Sequence, residues 1–362
     1  MPASRYLIGS LPWYSVLVVA GMAVAILLAS REEKRMGLPE DTAVDLALVA
    51  LPLGILGARL YYVAFTWETY AADPLRILRV WEGGLAIYGG LIGGILGMVL
   101  FSRRRRIALG DLLDMAAPGV ALAQSIGRWG NFFNMEAYGG VVSDPRWQFF
   151  PLAVQIPESG GIVWHQAAFF YESLWDLCVF CVLWRLRGRG RRGDTFLRYT
   201  LLYGAGRLVV EGIRNDSLYV GGAEGLRVSQ LLAAAAVLAC CLYLILRTLR
   251  GKRPAPARSV ALPAALCALP VIPAVLAWLG LLPVSAALCL AMLGAVCAAL
   301  AALRVSPAGR LFDMAACVLA ALAAGAGLLP SVRAVPTAVC LCFSVGGLLL
   351  AAALRLLHPD RR

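Results

Sequence analysis

The sequence predicts an all-α, polytopic membrane protein with a seven-helix core and about four extra C-terminal transmembrane helices. Three observations carry this expectation. The chain is 60% hydrophobic, with a mean hydropathy of +0.77, whereas soluble domains run near half apolar. Eleven stretches approach the roughly 20 apolar residues that a bilayer core demands. The cations between those stretches crowd into alternate loops.

The first seven stretches are 13–30, 42–66, 84–101, 109–127, 167–185, 195–213 and 228–247. Four more follow, near 260–280, 283–303, 311–329 and 335–356. The first reads as an anchor and not as a leader: only Arg5 precedes it, no A-x-A site follows, and Arg31, Lys34 and Arg35 close it. The second includes Arg59 and the sixth Arg207. A guanidinium at membrane depth requires polar company.

Of the 33 cations, 22 fall in one set of loops, among them Arg103–Arg106, the run from Arg185 to Arg192, and the run from Arg247 to Arg258. Only 8 fall in the opposite set. With eleven spans, the crowded loops share one side, which places the N-terminus outside and the C-terminus inside a bacterial cytoplasmic (inner) membrane. Anionic lipid head groups then account for the net charge of +12, and no nucleic acid is needed. The ten cysteines all lie in predicted spans, where thiols act as small hydrophobes. Cys178 and Cys181 form a C-x-x-C of this mid-helix kind.

The basic, proline-rich segment GKRPAPARS at 251–259 separates two compositions. Residues 1–250 form a core with polar groups in and beside the spans. Residues 260–362 read as an appended hydrophobic membrane domain, nearly pure Ala, Leu and Val, with Asp313 its one internal acid. Its composition points to packing or partner contact and to no chemistry.

Polar groups concentrate in three segments of the core. GRWGNFFNMEAYG at 127–139 combines Arg128, Asn131, Asn134 and Glu136 with Gly127, Gly130 and Gly139. A guanidinium offers a planar fork of donors that suits phosphate, and Glu136 can orient an arginine or accept a proton. Trp129, Phe132 and Phe133 are expected at head-group depth. In YGAGRLVVEGIR at 203–214, Tyr203, Arg207 and Glu211 recur every fourth residue and line one helix face. The bland reading of that face is a structural Arg207–Glu211 pair. GGLAIYGGLIGG at 83–94 carries glycines that let helices approach, with Tyr88 among them. Together these describe a pocket at the outer leaflet that takes a phosphate and admits acyl chains, and so a phospholipid.

These segments resemble prolipoprotein diacylglyceryl transferases. The family signature begins G-R-x-G-N-F-x-N and continues to a Glu and a Gly, which Gly127, Arg128, Gly130, Asn131, Phe132, Asn134, Glu136 and Gly139 match. WYSVL near the start, EGGLAIYGG at 82–90 and YGAGRLVVEGIR agree in order. The resemblance spans about residues 10–250 and implies a seven-helix enzyme with an outside N-terminus. It implies transfer of a diacylglyceryl group from phosphatidylglycerol to the thiol of a lipobox cysteine in a secreted prolipoprotein, the first step of bacterial lipoprotein maturation. By that resemblance Arg128, Arg207, Tyr88 and Glu136 are candidate catalytic residues. Asn131, Asn134, Gly139, Tyr14, Tyr203 and Glu211 join Arg128 as candidate binding residues. The partners implied are phosphatidylglycerol, lipobox-containing prolipoproteins and membrane lipids, with no cofactor and no metal.

Two positions depart from the family pattern. Tyr88 stands where many members have His, which removes the obvious imidazole base. In WHQAAFFYES, Tyr171, Glu172 and Ser173 match the family's H-P-T-x-L-Y-E-S, but Gln166 takes the histidine position and His165 falls one place early. The alternative to catalysis is an accessory membrane protein that binds phospholipid without turning it over. A transporter would show inverted repeats, and the sequence has none.

Overall fold

The computed structural model describes residues 4–71, 73–216, 219–220 and 226–249. The linker 251–259, the predicted domain 260–362 and its four predicted spans lie outside the described residues. The helices are α1 (Trp13–Met36), α2 (Thr42–Phe65), the single turn α3 (Trp67–Tyr70), α4 (Ile87–Arg105), α5 (Leu109–Asn134), α6 (Ala168–Leu186), α7 (Asp194–Ile213) and α8 (Val228–Leu249). Each long helix overlaps one predicted stretch, and α1 and α5 run on past the predicted ends to Met36 and Asn134.

The chain is a mostly helical membrane protein. By length and composition α1 and α2 are apolar enough to cross a bilayer. Others carry charge within them, including Asp111 and Asp114 in α5, Glu172 and Asp176 in α6, and Arg198, Arg207 and Glu211 in α7.

Apolar counting does not foresee three short antiparallel pairs: β1 (Tyr6–Ile8) with β2 (Leu11–Pro12), β3 (Ala153–Glu158) with β4 (Gly161–Gln166), and β5 (Tyr219–Val220) with β6 (Leu226–Arg227). The β3–β4 hairpin runs in register from Ala153 opposite Gln166 to Glu158 opposite Gly161. It buries Val154 and Ile156 against Ala137, Ala167 and Phe169.

The described residues divide into two compact units. The unit Ala23–Gly119 is built on α2 and α4, which pack backbone to backbone. A Cβ on Gly57 would lie 2.4 Å from Gly89 O, and one on Gly93 would lie 2.1 Å from Leu53 O. Gly89, Gly93 and Gly97 recur every fourth residue of α4 and keep that seam narrow, as small residues do where lipid supplies no hydrophobic drive. An Asp45–Arg105 ion pair ties the start of α2 to the end of α4. Leu46, Phe101, Leu112 and Met115 fill the core.

The other unit comprises 1–22 and the chain from Val120 onward. Three ties triangulate α5, α6 and α7. Ser125 Oγ donates to Ser173 O at 2.8 Å, and Ser173 Oγ donates to Ser125 O at 2.8 Å, which locks α5 to α6. Trp175 Nε1 donates to Leu202 O at 2.9 Å and locks α6 to α7. Tyr199 Oη donates to Gln124 Oε1 at 2.9 Å and closes α7 on α5.

The α6–α7 tie requires a glycine. A Cβ on Gly206 would sit 2.1 Å from Trp175 Nε1, in a ring held by its own hydrogen bond. Gly206→Ala should therefore lower stability by about 1–3 kcal/mol, the usual cost of overpacking. Gly127→Ala, which meets nothing within 4 Å, should be neutral or slightly stabilising. Thermal unfolding of the two purified variants checks the contrast.

Candidate functional site

The signature GRWGNFFN occupies the last turns of α5 and is not a loop. This puts Arg128 on a rigid helix, three residues beyond the Ser125–Ser173 lock. Its Nη2 lies 2.6 Å from Glu172 Oε1 on α6. Arg207 on α7 reaches the same oxygen, with Nη1 at 2.9 Å. Arg207 Nη2 also lies 2.7 Å from Glu211 Oε2, one turn on, and weakly reaches Ser229 Oγ at 3.4 Å. The result is a buried chain, Arg128–Glu172–Arg207–Glu211, with two charges of each sign. The Glu172 side chain is 3% exposed and that of Glu211 2%. Charges at such depth persist only when paired.

Two of the sequence-predicted residues, Arg128 and Arg207, thus meet, and the group that joins them was missed. Glu172 sits in FFYES, which reads as an ordinary helix start. Its signal was the family match at Tyr171, Glu172 and Ser173, together with two arginines short of one acid. The Arg207–Glu211 pair does exist, but it is one link in a longer chain. Among the described residues Glu172 is the hydrogen-bonded or ion-pair partner of Arg128.

Tyr203 lies one turn before Arg207 and stacks on Tyr199 at 5.6 Å, with 14° between the rings. Tyr14 opens α1 and packs on the signature: a Cβ on Gly130 would lie 2.7 Å from Tyr14 Cδ2. Next to it, Trp13 stacks on Phe133 at 4.9 Å. Arg5 Nε donates to Asn134 Oδ1 at 3.2 Å, so the N-terminal segment is tied to the end of α5.

Glu136 is exposed, and its Oε1 accepts from Asn131 Nδ2 at 2.8 Å and from Asn134 Nδ2 at 3.2 Å. Among the described residues the two asparagines, and no arginine, orient this carboxylate. The flanking Met135 and Ala137 both have φ of 55°, in the left-handed region. Each costs about 1–2 kcal/mol for a residue with a Cβ. The tight exit is fixed by Glu136 N–H donating to Asn131 O at 3.0 Å and Phe169 N–H donating to Ala137 O at 3.0 Å.

Gly139 is the knot of the outer loop. Its N–H donates to Gln166 O at 2.8 Å, and its carbonyl accepts from Asn215 Nδ2 at 2.9 Å and faces His165 Nδ1 at 2.9 Å. A Cβ there would lie 2.7 Å from Ile213 Cγ2. His165 Nε2 faces Glu158 Oε1 at 2.8 Å. Acceptors flank the ring on both sides, so a neutral ring satisfies one and an imidazolium both. His165 and Gln166 therefore converge on Gly139, which accounts for the shifted WHQ.

Trp129 and Phe132 pack against the apolar cluster of the β3–β4 hairpin. Trp129 packs edge-on with Phe150, Phe169 and Phe170 at 6.0–6.3 Å. The inner wall of the hairpin supplies enough apolar surface to draw them in. Arg146 is tied to Asp144 at 2.8 Å and is 84% exposed. Hydrogen bonds from the Arg146 side chain and backbone hold the Asp144 carboxyl below its ordinary range. Tyr88 belongs to the other unit, where its ring meets Tyr61 edge-on at 6.4 Å.

The profile of the family described as "Prolipoprotein diacylglyceryl transferase" matches residues 5–246. A protein of Enterococcus faecalis named phosphatidylglycerol–prolipoprotein diacylglyceryl transferase is 45% identical over 240 residues, covering 65% of this chain and 86% of its own length. Proteins of the same name from Streptococcus agalactiae and Bacillus cereus are 43% and 42% identical, over 66% of this chain and 92% and 89% of theirs. The matched region contains α1 to α7, all three arms of the Arg128–Glu172–Arg207 junction, and Tyr88. This chain belongs to the prolipoprotein diacylglyceryl transferase family.

Proposed function

We propose that the chain transfers the diacylglyceryl group of phosphatidylglycerol to the lipobox cysteine thiol of secreted prolipoproteins. The carrying observation is the junction at Glu172, which brings two guanidiniums from different helices together and, among the described residues, engages Arg128 through one carboxylate. In the reaction the thiol releases its proton to solvent, and sulfur attacks the glycerol carbon that bears the phosphate. A carbon–sulfur bond forms, the carbon–oxygen bond breaks, and glycerol phosphate leaves with the electron pair. Negative charge grows on the phosphate oxygens, and Arg128 and Arg207 are the groups that meet it. Donors preset for developing charge are often the largest single contribution to catalysis.

The other residues have supporting parts in this reading. Glu211 and Glu172 keep Arg207 in place. Asn131 and Asn134 hold Glu136 at the exposed end of α5, and Tyr14 and Tyr203 line the approach to the arginines. Gly139 acts through the loop it knots. Tyr88 takes the family's histidine place and contributes a hydroxyl to the handling of the thiol. An unperturbed tyrosine, with a pKa near 10, is a weak base at neutral pH. The core 1–250 carries the chemistry, supported by the match over 5–246, and 260–362 is a separate appended domain.

In the same reading all seven long helices span the cytoplasmic membrane, with the N-terminus outside and, over eleven spans, the C-terminus inside. Support comes from the cation asymmetry. Cysteines placed singly at 103–106 in a cysteine-free background should resist a membrane-impermeant thiol reagent added from outside. One placed at 146 should react. The reverse pattern overturns the orientation.

The arginine reading is tested by transfer from phosphatidylglycerol to a lipobox peptide. Lysine keeps the charge but loses the planar fork. Arg128→Lys and Arg207→Lys should each lower turnover by about 10²–10³-fold. Arg146→Lys, on an exposed side chain outside the junction, should stay near wild type. If both core variants keep near wild-type turnover, the junction is structural and the chain is better read as a lipid-binding accessory protein.

A further inference from the structure

Arg59 is a buried arginine of α2, 3% exposed, and the transferase chemistry described above makes no use of it. Its bonding pattern is unlike that of Arg128. Nε donates to Ile77 O at 2.8 Å. Nη1 donates to Gly83 O at 2.6 Å and to Gly84 O at 3.2 Å. Nη2 donates to Arg76 O at 2.5 Å and to Arg79 O at 3.2 Å. All five N–H donors of the guanidinium are thus spent on five backbone carbonyls of one short stretch. Its charge has no carboxylate among these partners and rests on carbonyl dipoles and on the face of Tyr70, 5.1 Å away.

The stretch that supplies those carbonyls is a strap of two short 3₁₀ turns, Pro74–Leu78 and Val80–Glu82, followed by Gly83 and Gly84 with φ of 87° and 70°. It has little packing of its own, since Leu75, Leu78 and Trp81 are 70–78% exposed. The residue before Arg59 adds a second hold, for Ala86 N–H donates to Ala58 O at 3.0 Å. Ile87 then begins α4, and Tyr88 follows in its first turn. A Cβ on Gly84 would lie 2.6 Å from Arg59 Nη1, so the glycine is the shape the guanidinium needs.

We infer that Arg59 is a positioning residue that pins the 76–84 strap and thereby fixes the start of α4 and the placement of Tyr88. The inference rests on the transferase reading for its effect on turnover and on geometry alone for the pin. Arg59 cannot also bind phosphate, because it has no donor left to offer. Lysine, with three donors on a point charge, cannot reproduce the fork.

The test uses the full-length protein in phosphatidylglycerol-containing nanodiscs, with two readouts for Arg59→Lys. Hydrogen–deuterium exchange over 76–86 should speed up about tenfold or more, with exchange over 42–55 unchanged. Turnover at saturating substrates should fall about 10- to 100-fold, with the KM for phosphatidylglycerol little moved, as expected when a reacting group is misplaced and not lost. Gly84→Ala keeps Arg59 but pushes the strap off it, and should give the same two changes. It carries the test if Arg59→Lys fails to fold. Unchanged strap exchange in both variants overturns the pin. Faster exchange with turnover within twofold of wild type overturns the positioning role. A wild-type chain with no transfer activity sinks the transferase reading, while the exchange measurement still decides the pin.

Discussion

A single carboxylate, that of Glu172, joins charged side chains of α5, α6 and α7. Arg128 and Arg207 come from different helices and share its Oε1. Removing one partner from such a buried set commonly costs about 3–5 kcal/mol, because the remaining charge is stranded. The cost falls on the helices as well as on the site. Ser125, Ser173, Trp175 and Gly206 stand within three residues of Arg128, Glu172 or Arg207, so the helix locks and the ion chain stabilise the same geometry. An arginine pair held this way needs no rearrangement to meet a developing negative charge, which is the condition for effective electrostatic catalysis.

Arg59 and Arg128 are held in different ways. Arg59 is saturated by backbone carbonyls and acts as a pin. Among the described residues Arg128 has one carboxylate partner. Both satisfy the requirement that a cation at depth have polar company. Only the second is proposed to meet the donor lipid. Burial and donor counting point the same way, since Arg59 is 3% exposed and the Arg128 side chain 20%.

Much of this was legible in the sequence. Apolar run length located the long helices, each of which overlaps one predicted stretch. Residue chemistry and spacing singled out Arg128, Arg207 and Glu211. What was not legible depends on contacts distant in sequence. Glu172 lies 35 residues from Arg207, and nothing in FFYES marks it as the bridge. The β3–β4 hairpin was absent from a reading tuned to spans, and with it went the packing of Trp129 and Phe132 against its apolar cluster. Gly139 is a candidate binding residue by resemblance alone, and spacing does not reveal that the chain's own Ile213 and Gln166 crowd it. The left-handed Met135 and Ala137 are invisible to propensity, since neither residue type favours that conformation.

The central claim is that Arg128 and Arg207 together receive the phosphate of the donor lipid while Glu172 keeps them in register. An experimental structure with phosphatidylglycerol bound tests it most directly. The account predicts phosphate oxygens about 2.7–3.2 Å from a guanidinium nitrogen of each arginine, with Glu172 still in contact with at least one of them. A phosphate seated beyond hydrogen-bond reach of both arginines, with their ion pairs to Glu172 intact, would contradict it.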